Sequence, residues 1–495
     1  MNRRLKQILL LLLAALLLAG ISRVQTALNH DRETLGLTRV TPLENAPPLL
    51  AFTTVALGGF RGLIANALWI RASELQDNDK FFEMAQLADW ITKLEPHFVQ
   101  VWIVQGWNMA YNISVKFKDY SDRWNWVQRG ISLLRDEGLR YNPNELLLYR
   151  ELAGFFQHKM GANMDDANMY YKRAWFEEMY QFFPTNAPDY AALISPQTPE
   201  ARVATRKLGE IYKLDPAFMQ DVDRRFGPME WRLPEAHAIY WAARGLAVAQ
   251  ANPERVNPED LIQLHRMIYQ SMQIAVVRGR AIASANGKLL DLAPNLAIIG
   301  KANDAYEQAM RDDAKNRDQI VVGHRNFLRD AVYYLYTYNR EAEAAQWFAY
   351  LGRAYPEKPL VSRPDSLPGK ITLDEYVYAR IEEEVGDTSR DKTKMLLEGL
   401  LTTYYYSLAI GNDDRATGFE RMAQKIWVRY RSKTEGTGER ISIPPLNSIK
   451  QDVLRRVLDP ERGFPPELAL PLRTALGLPA PTNAPPAASP DRTTP

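Results

Sequence analysis

Apolar residues recur at intervals of three and four from about Ala65 onward. The breaks between such stretches are short and rich in Pro, Gly, Asn and Asp. That spacing places the apolar side chains along one face of an α-helix, so the pattern predicts helix after helix. No run alternates apolar and polar residues as a strand would. Leu94-Glu95-Pro96, Asn142-Pro143 and Leu214-Asp215-Pro216 punctuate the pattern, because proline cannot continue a helix. The expected fold class is all-α.

A finer regularity lies inside it. Pro96 precedes Trp102 by six residues, and Pro143 precedes Tyr149 by six. The same phrase follows each: Trp102-x2-Gln105-Gly106-x2-Met109, then Tyr149-x2-Leu152-Ala153-x2-Phe156. A large anchor is followed one turn later by a small residue, where a neighbouring helix must approach closely. Ala167-x3-Tyr171 and Ala344-x3-Phe348-x7-Pro356 supply second-helix spacings, and Leu68-x2-Arg71-Ala72-x2-Leu75 a weaker first unit. These residues resemble the tetratricopeptide repeat. The resemblance implies a TPR-like α-solenoid that binds other proteins. It covers 65–195 and, more loosely, 321–433. Between them, 196–320 is expected to be helical but irregular, since the phase is lost after Pro216. Pro96 and Pro143 stand 47 residues apart against the usual ~34, with the surplus expected near Lys116–Trp126. Arg71 and Gln105 stand where the repeat usually has Leu. A generic helical bundle gives the same periodicity without the repeat.

The ends differ from the body. In 1–30, Arg3, Arg4 and Lys6 precede an apolar run from Ile8 to Ile21, the order of an export signal. The 14-residue run covers roughly 21 Å as a helix, short of the ~30 Å hydrocarbon core. Lys6 and Arg23 can extend it by snorkelling. It reads as a retained transmembrane anchor or a cleaved signal at Gly20-Ile21-Ser22. Positive-inside bias then sends the body across, to the periplasmic side of a bacterial inner membrane, as a single-pass protein. The 31–64 segment is a linker leading into a second apolar stretch, Pro47 to Ile70. Arg61 and Gly58-Gly59 favour a buried or interfacial helix there over a second span. At the other end, 434–477 reads as a polar linker, a short helix from Leu446 to Leu458 and a broken one from Pro466 to Leu476. The Pro-, Ala- and Thr-rich 478–495 reads as a disordered tail.

Composition narrows the function. A net charge of +2 over 495 residues gives no general attraction for nucleic acid. With no cysteine, disulfides, thiolate metal sites and cysteine nucleophiles are excluded. No phosphate-binding glycine loop, Rossmann fingerprint or G-x-S-x-G elbow occurs. The six histidines show no metal-ligand spacing. Asp165-Asp166 and Glu177-Glu178 read as solvated faces. No cofactor, metal or catalytic residue is therefore assigned, and the expectation is a binding protein rather than an enzyme. Two clusters could carry binding. Trp107 and Tyr111 lie one turn apart on a face away from the Trp102 anchor, where a repeat array would expose a groove, and core packing is the other reading of the pair. In the stretch Phe226 to Trp241, a Gly-Pro turn runs into a helix opening at Pro234. There Trp231, Arg232, Glu235, His237 and Trp241 either converge on a partner or form a helix-start motif that packs its aromatics into the neighbouring layer. The expected role is a membrane-anchored scaffold for protein partners in the cell envelope. The rival is a glycan-binding protein or glycan-active enzyme on a helical toroid, which demands a deep acidic cleft.

Overall fold

A computed structural model describes residues 60–479, apart from 163, 186, 284–289, 386–389, 435–442 and 461, together with scattered positions between 17 and 31. The expectations for most of the leader, for 32–59 and for 480–495 lie outside the described residues.

The body is predominantly helical. Helix α1 (Phe60–Asp77) pairs with α2 (Phe81–Leu94). Helix α3 (Val99–Trp107) runs on through a π-helical turn, Asn108–Ile113, and packs against α4 (Tyr120–Ser132). Helix α5 (Leu146–Gly154) runs on through a second π-helical turn, Phe155–Gly161, against α6 (Asn168–Tyr180). The short α7 (Tyr190–Ile194), α8 (Pro199–Glu210) and α9 (Pro216–Phe226) follow. Pairing resumes with α10 (Pro234–Ala251) and α11 (Pro258–Arg278), then α12 (Ile299–Asp312), α13 (Arg317–Thr337) and α14 (Glu341–Ala354). Helix α15 (Leu373–Val385) precedes the pair α16 (Arg390–Ala409) and α17 (Asp413–Thr434). Helices α18 (Leu446–Val457) and α19 (Pro466–Ala475) close the chain against α16.

The succession of helix pairs breaks between α6 and α10, and it resumes within the 196–320 region that was expected to be irregular. Helix α5 packs directly on α10, while α7 packs on α8 and α9. The stretch 190–226 thus stands outside the succession of pairs. Its helices start on local caps. Thr198 accepts from the Ala201 N–H at 3.1 Å and Asp215 from the Ala217 N–H at 3.0 Å, each just before a proline. Pro216 therefore opens a helix, while the one before it has already ended at Glu210. The surplus at Lys116–Trp126 does not form a long loop. Residues 117–119 make a turn, and the extra length goes into α3 and α4, which are extended by π-helical turns at Asn108–Ile113 and Leu133–Gly138.

Two further differences are local. An antiparallel pair, β1 (Arg280–Ala283) and β2 (Leu290–Ala293), interrupts the middle region, with Ile282 opposite Asp291. Four residues per strand are too few to show alternation in sequence. The expected break in Pro466–Leu476 is absent, and α19 runs through Pro471. One core extends from Trp102 to Leu472, joined by smaller clusters between α1, α2 and α3. Among the described residues no helix is long and apolar enough to cross a membrane.

Candidate functional site

The six-residue proline spacing sets up the first site. The Trp102 indole donates to the Pro96 carbonyl at 2.9 Å, and the Tyr149 phenol to the Pro143 carbonyl at 2.9 Å. Both rings are buried and fix the first turn of α3 and of α5. Further along, Gly106 of α3 meets Gly130 of α4, where a Cβ on Gly130 would lie 2.7 Å from the Gly106 oxygen. The anchored helices then widen. A π-helical turn shifts the side chains that follow it out of α-helical phase, and such turns are frequent at functional sites. Those at Asn108–Ile113 and Phe155–Gly161 both contribute to one open cleft of about 510 Å³.

Trp107 and Tyr111 form one wall of that cleft. Their rings stack at 5.0 Å with an interplanar angle of 18°. Trp107 is 44% exposed, so one face of its ring is open to the cleft and to solvent. Phe155 supports Tyr111 from behind at 5.9 Å. Polar groups line the opposite side: Glu151, His158, Lys159, Asp165 and Asp166. Lys159 lies 5.0 Å from the Tyr111 ring centroid and 2.5 Å from Asp165. Arg123 reaches Asp165 at 3.3 Å and Asp166 at 2.5 Å. Burial would raise the Asp165 carboxyl, but hydrogen bonds from Lys159 and from the Ala167 N–H hold it below its ordinary value. Burial pushes the Lys159 ammonium down despite the Asp165 bond. Burial also raises the Tyr111 phenol, with the Glu151 and Asp165 charges adding to the effect. Asp165 and Lys159 are thus engaged with each other rather than poised for proton transfer. The cleft offers a flat aromatic surface with a polar rim.

The second candidate cluster is placed differently. Trp231, Arg232, Glu235, His237 and Trp241 are all buried. Arg232 closes a two-pronged pair with Glu230 at 2.7 and 2.8 Å. The His237 Nε2–H donates to the Trp231 carbonyl at 2.8 Å, and the ring packs between Phe156 and Trp175. Burial pushes its pKa down to about 4, so it is neutral at pH 7. Burial raises the Glu235 carboxyl, whose oxygens lack a hydrogen-bond partner, with the Arg278 Nε 3.9 Å away. Trp231 and His237 pack on each other, while Arg232, Glu235 and Trp241 face Glu230, Arg278 and the rings of Tyr149 and Tyr240. A neighbouring cavity of about 300 Å³ is lined by Pro228, Met229 and Glu230 with Arg280 and Tyr338, and touches none of the five candidate side chains.

Sequence reasoning passed over Lys159 and Glu151 and read Asp165 as part of a solvated face, whereas its side chain is only 9% exposed. The available signal was Asp165-Asp166-Ala167, an acidic start to α6. Its Oδ1 accepts from the Ala167 N–H, yet Asp165 itself is withdrawn from solvent. Among the described residues no group of three or more His, Asp or Glu could hold a metal ion. No protein-family model, curated protein or solved structure matches the chain.

Proposed function

We propose that this chain is a membrane-anchored scaffold of TPR-like stacked helix pairs that binds a protein partner in the bacterial cell envelope. The leader tethers it to the inner membrane as a single-pass protein, with the body in the periplasm. The cleft of Trp107 and Tyr111 receives the partner. The observation that carries this reading is the exposed Trp107, held flat against Tyr111 at the mouth of an open cleft. Tryptophan and tyrosine are enriched among the few residues that carry most of the binding energy at protein interfaces. The charged groups around the rings serve as a polar rim, and no catalytic role is assigned to them.

The same aromatic pair favours one alternative, stacking of a sugar ring on Trp107 with Glu151, Asp166 and His158 as hydrogen-bond partners. Affinity purification from membranes separates the two. Wild type and Trp107→Ala are compared by mass spectrometry of what co-purifies. A protein retained by wild type and lost by at least tenfold in the variant supports the scaffold. A defined oligosaccharide bound by the purified protein in a Trp107-dependent way, with no such protein, supports the alternative.

A further inference from the structure

Helix α1 is apolar on two opposite sides. Ala65, Ala72 and Leu75 are buried against α2, with Leu68 and Trp69 partly buried beside them. On the other side Leu63 is 65% exposed, Ile70 63% and Ile64 38%, with Ala67 exposed between them. Positions 63, 67 and 70 are spaced as i, i+4 and i+7 and so form one stripe. A helix apolar all round is normally covered all round, and no described element covers this stripe.

We propose that the outward face of α1 lies on the lipid bilayer, with its axis in the membrane plane. Three observations point to lipid. Between Glu44 and Arg71 the sole charged residue is Arg61, so the sequence leading into α1 is uncharged from Asn45 to Phe60. The apolar leader ends at Ile21, and the 38 residues that separate it from α1 reach at most ~130 Å when extended. Helix α1 is therefore held within easy reach of the surface that the leader occupies. At the margin of the side that faces α2, Trp69 packs on the exposed Phe98 at 5.8 Å, and aromatic rings are enriched at headgroup level. The helix rests on the bilayer rather than crossing it, because Arg61, Arg71, Glu74 and Asp77 all lie within its 18 residues. The exposed ion pair of Arg71 with Glu74, 2.7 Å apart, marks where the face returns to water.

The inference rests on the membrane-tethered reading above, and one experiment keeps the two apart. The absence of cysteine lets Leu63→Cys, Ala67→Cys and Ile70→Cys be labelled singly in the full chain with a bimane fluorophore. Val322→Cys, exposed on α13, is the reference. The protein is reconstituted in vesicles of phosphatidylethanolamine and phosphatidylglycerol carrying doxyl-labelled lipid. The expected result is several-fold stronger quenching by doxyl lipid at 63, 67 and 70 than at 322, with protection from aqueous iodide. Co-flotation with the vesicles but free iodide access at those positions overturns this inference and leaves the tether standing. Shielding from both quenchers overturns it too, in favour of cover by residues 47–59 or a second copy. Failure to float overturns both.

Discussion

The Trp102 indole N–H donates to the Pro96 carbonyl six residues earlier, and Asn142 donates to that same carbonyl at 2.8 Å. Asn142 immediately precedes Pro143, whose carbonyl receives the Tyr149 phenol. Each proline turn is thereby pinned to its own helix, and the second turn is pinned to the first. Tyr149→Phe removes one hydrogen bond and is expected to cost about 1 kcal/mol. Trp102→Phe also opens space around a buried ring and is expected to cost about 3 kcal/mol. Urea unfolding curves with unchanged slope and lowered midpoints would show both. Midpoints equal to wild type would mean that the repeated bond stabilises nothing.

The approach of α3 to α4 gives a sharper contrast. A Cβ on Gly130 meets the Gly106 oxygen at 2.7 Å, whereas one on Gly209 of α8 meets nothing within 4 Å. Gly130→Ala is expected to destabilise by about 1–3 kcal/mol through overpacking. Gly209→Ala is expected to stabilise by about 0.5 kcal/mol, because alanine has less chain entropy to lose. Thermal unfolding of the two variants should move in opposite directions.

How far the sequence could be read follows from the range of the interactions. The Pro96–Trp102 and Pro143–Tyr149 phrases were visible because each bond closes within six residues. Trp107 and Tyr111 were visible because one helical turn decides whether they share the Trp102 face. The burial of His237 was not visible, because Phe156 and Trp175 come from α5 and α6, more than sixty residues earlier. A helix-start motif looks the same whether it opens onto solvent or into a core. The strand pair had one legible sign, Asn286-Gly287, a strong hairpin dipeptide between Ile282 and Leu290. The cleft itself was illegible, since it depends on two π-helical turns, and a single added residue in a helix leaves little trace in apolar spacing.

Two buried histidines tie stability to pH. His237 and His324 are each 1% exposed, and burial lowers each pKa to about 4. In the unfolded chain both titrate near ~6.5. Below that pH the unfolded state takes up protons that the folded state refuses. Each histidine therefore withdraws on the order of 3 kcal/mol as pH falls from about 6.5 to about 4, with no further loss below. Other groups titrate in the same range, so the check is a difference. Urea midpoints of wild type and His237→Phe, followed from pH 7 to pH 4, should show a shallower decline in the variant. Parallel curves would contradict the depressed pKa.

The ion pair under the cleft predicts a non-additive result. Lys159 and Asp165 have side chains only 4% and 9% exposed. Asp165→Asn leaves Lys159 charged and buried beside Arg123, at an expected cost of about 3–5 kcal/mol. Lys159→Met combined with Asp165→Asn removes both charges and should recover part of that loss. A double-mutant cycle measures the coupling, and strict additivity would argue against the pair.

The central claim is that the Trp107 cleft holds a protein partner beside the membrane. It is tested most directly by placing the photoreactive residue p-benzoylphenylalanine at Val115, an exposed residue lining the cleft, in intact cells and irradiating. A discrete crosslinked protein at position 115, absent when the probe sits at Val322 and reduced at least tenfold by Trp107→Ala, is the predicted result. Crosslinks equal at both positions, or none at position 115 while the protein is folded and at the membrane, would contradict the account.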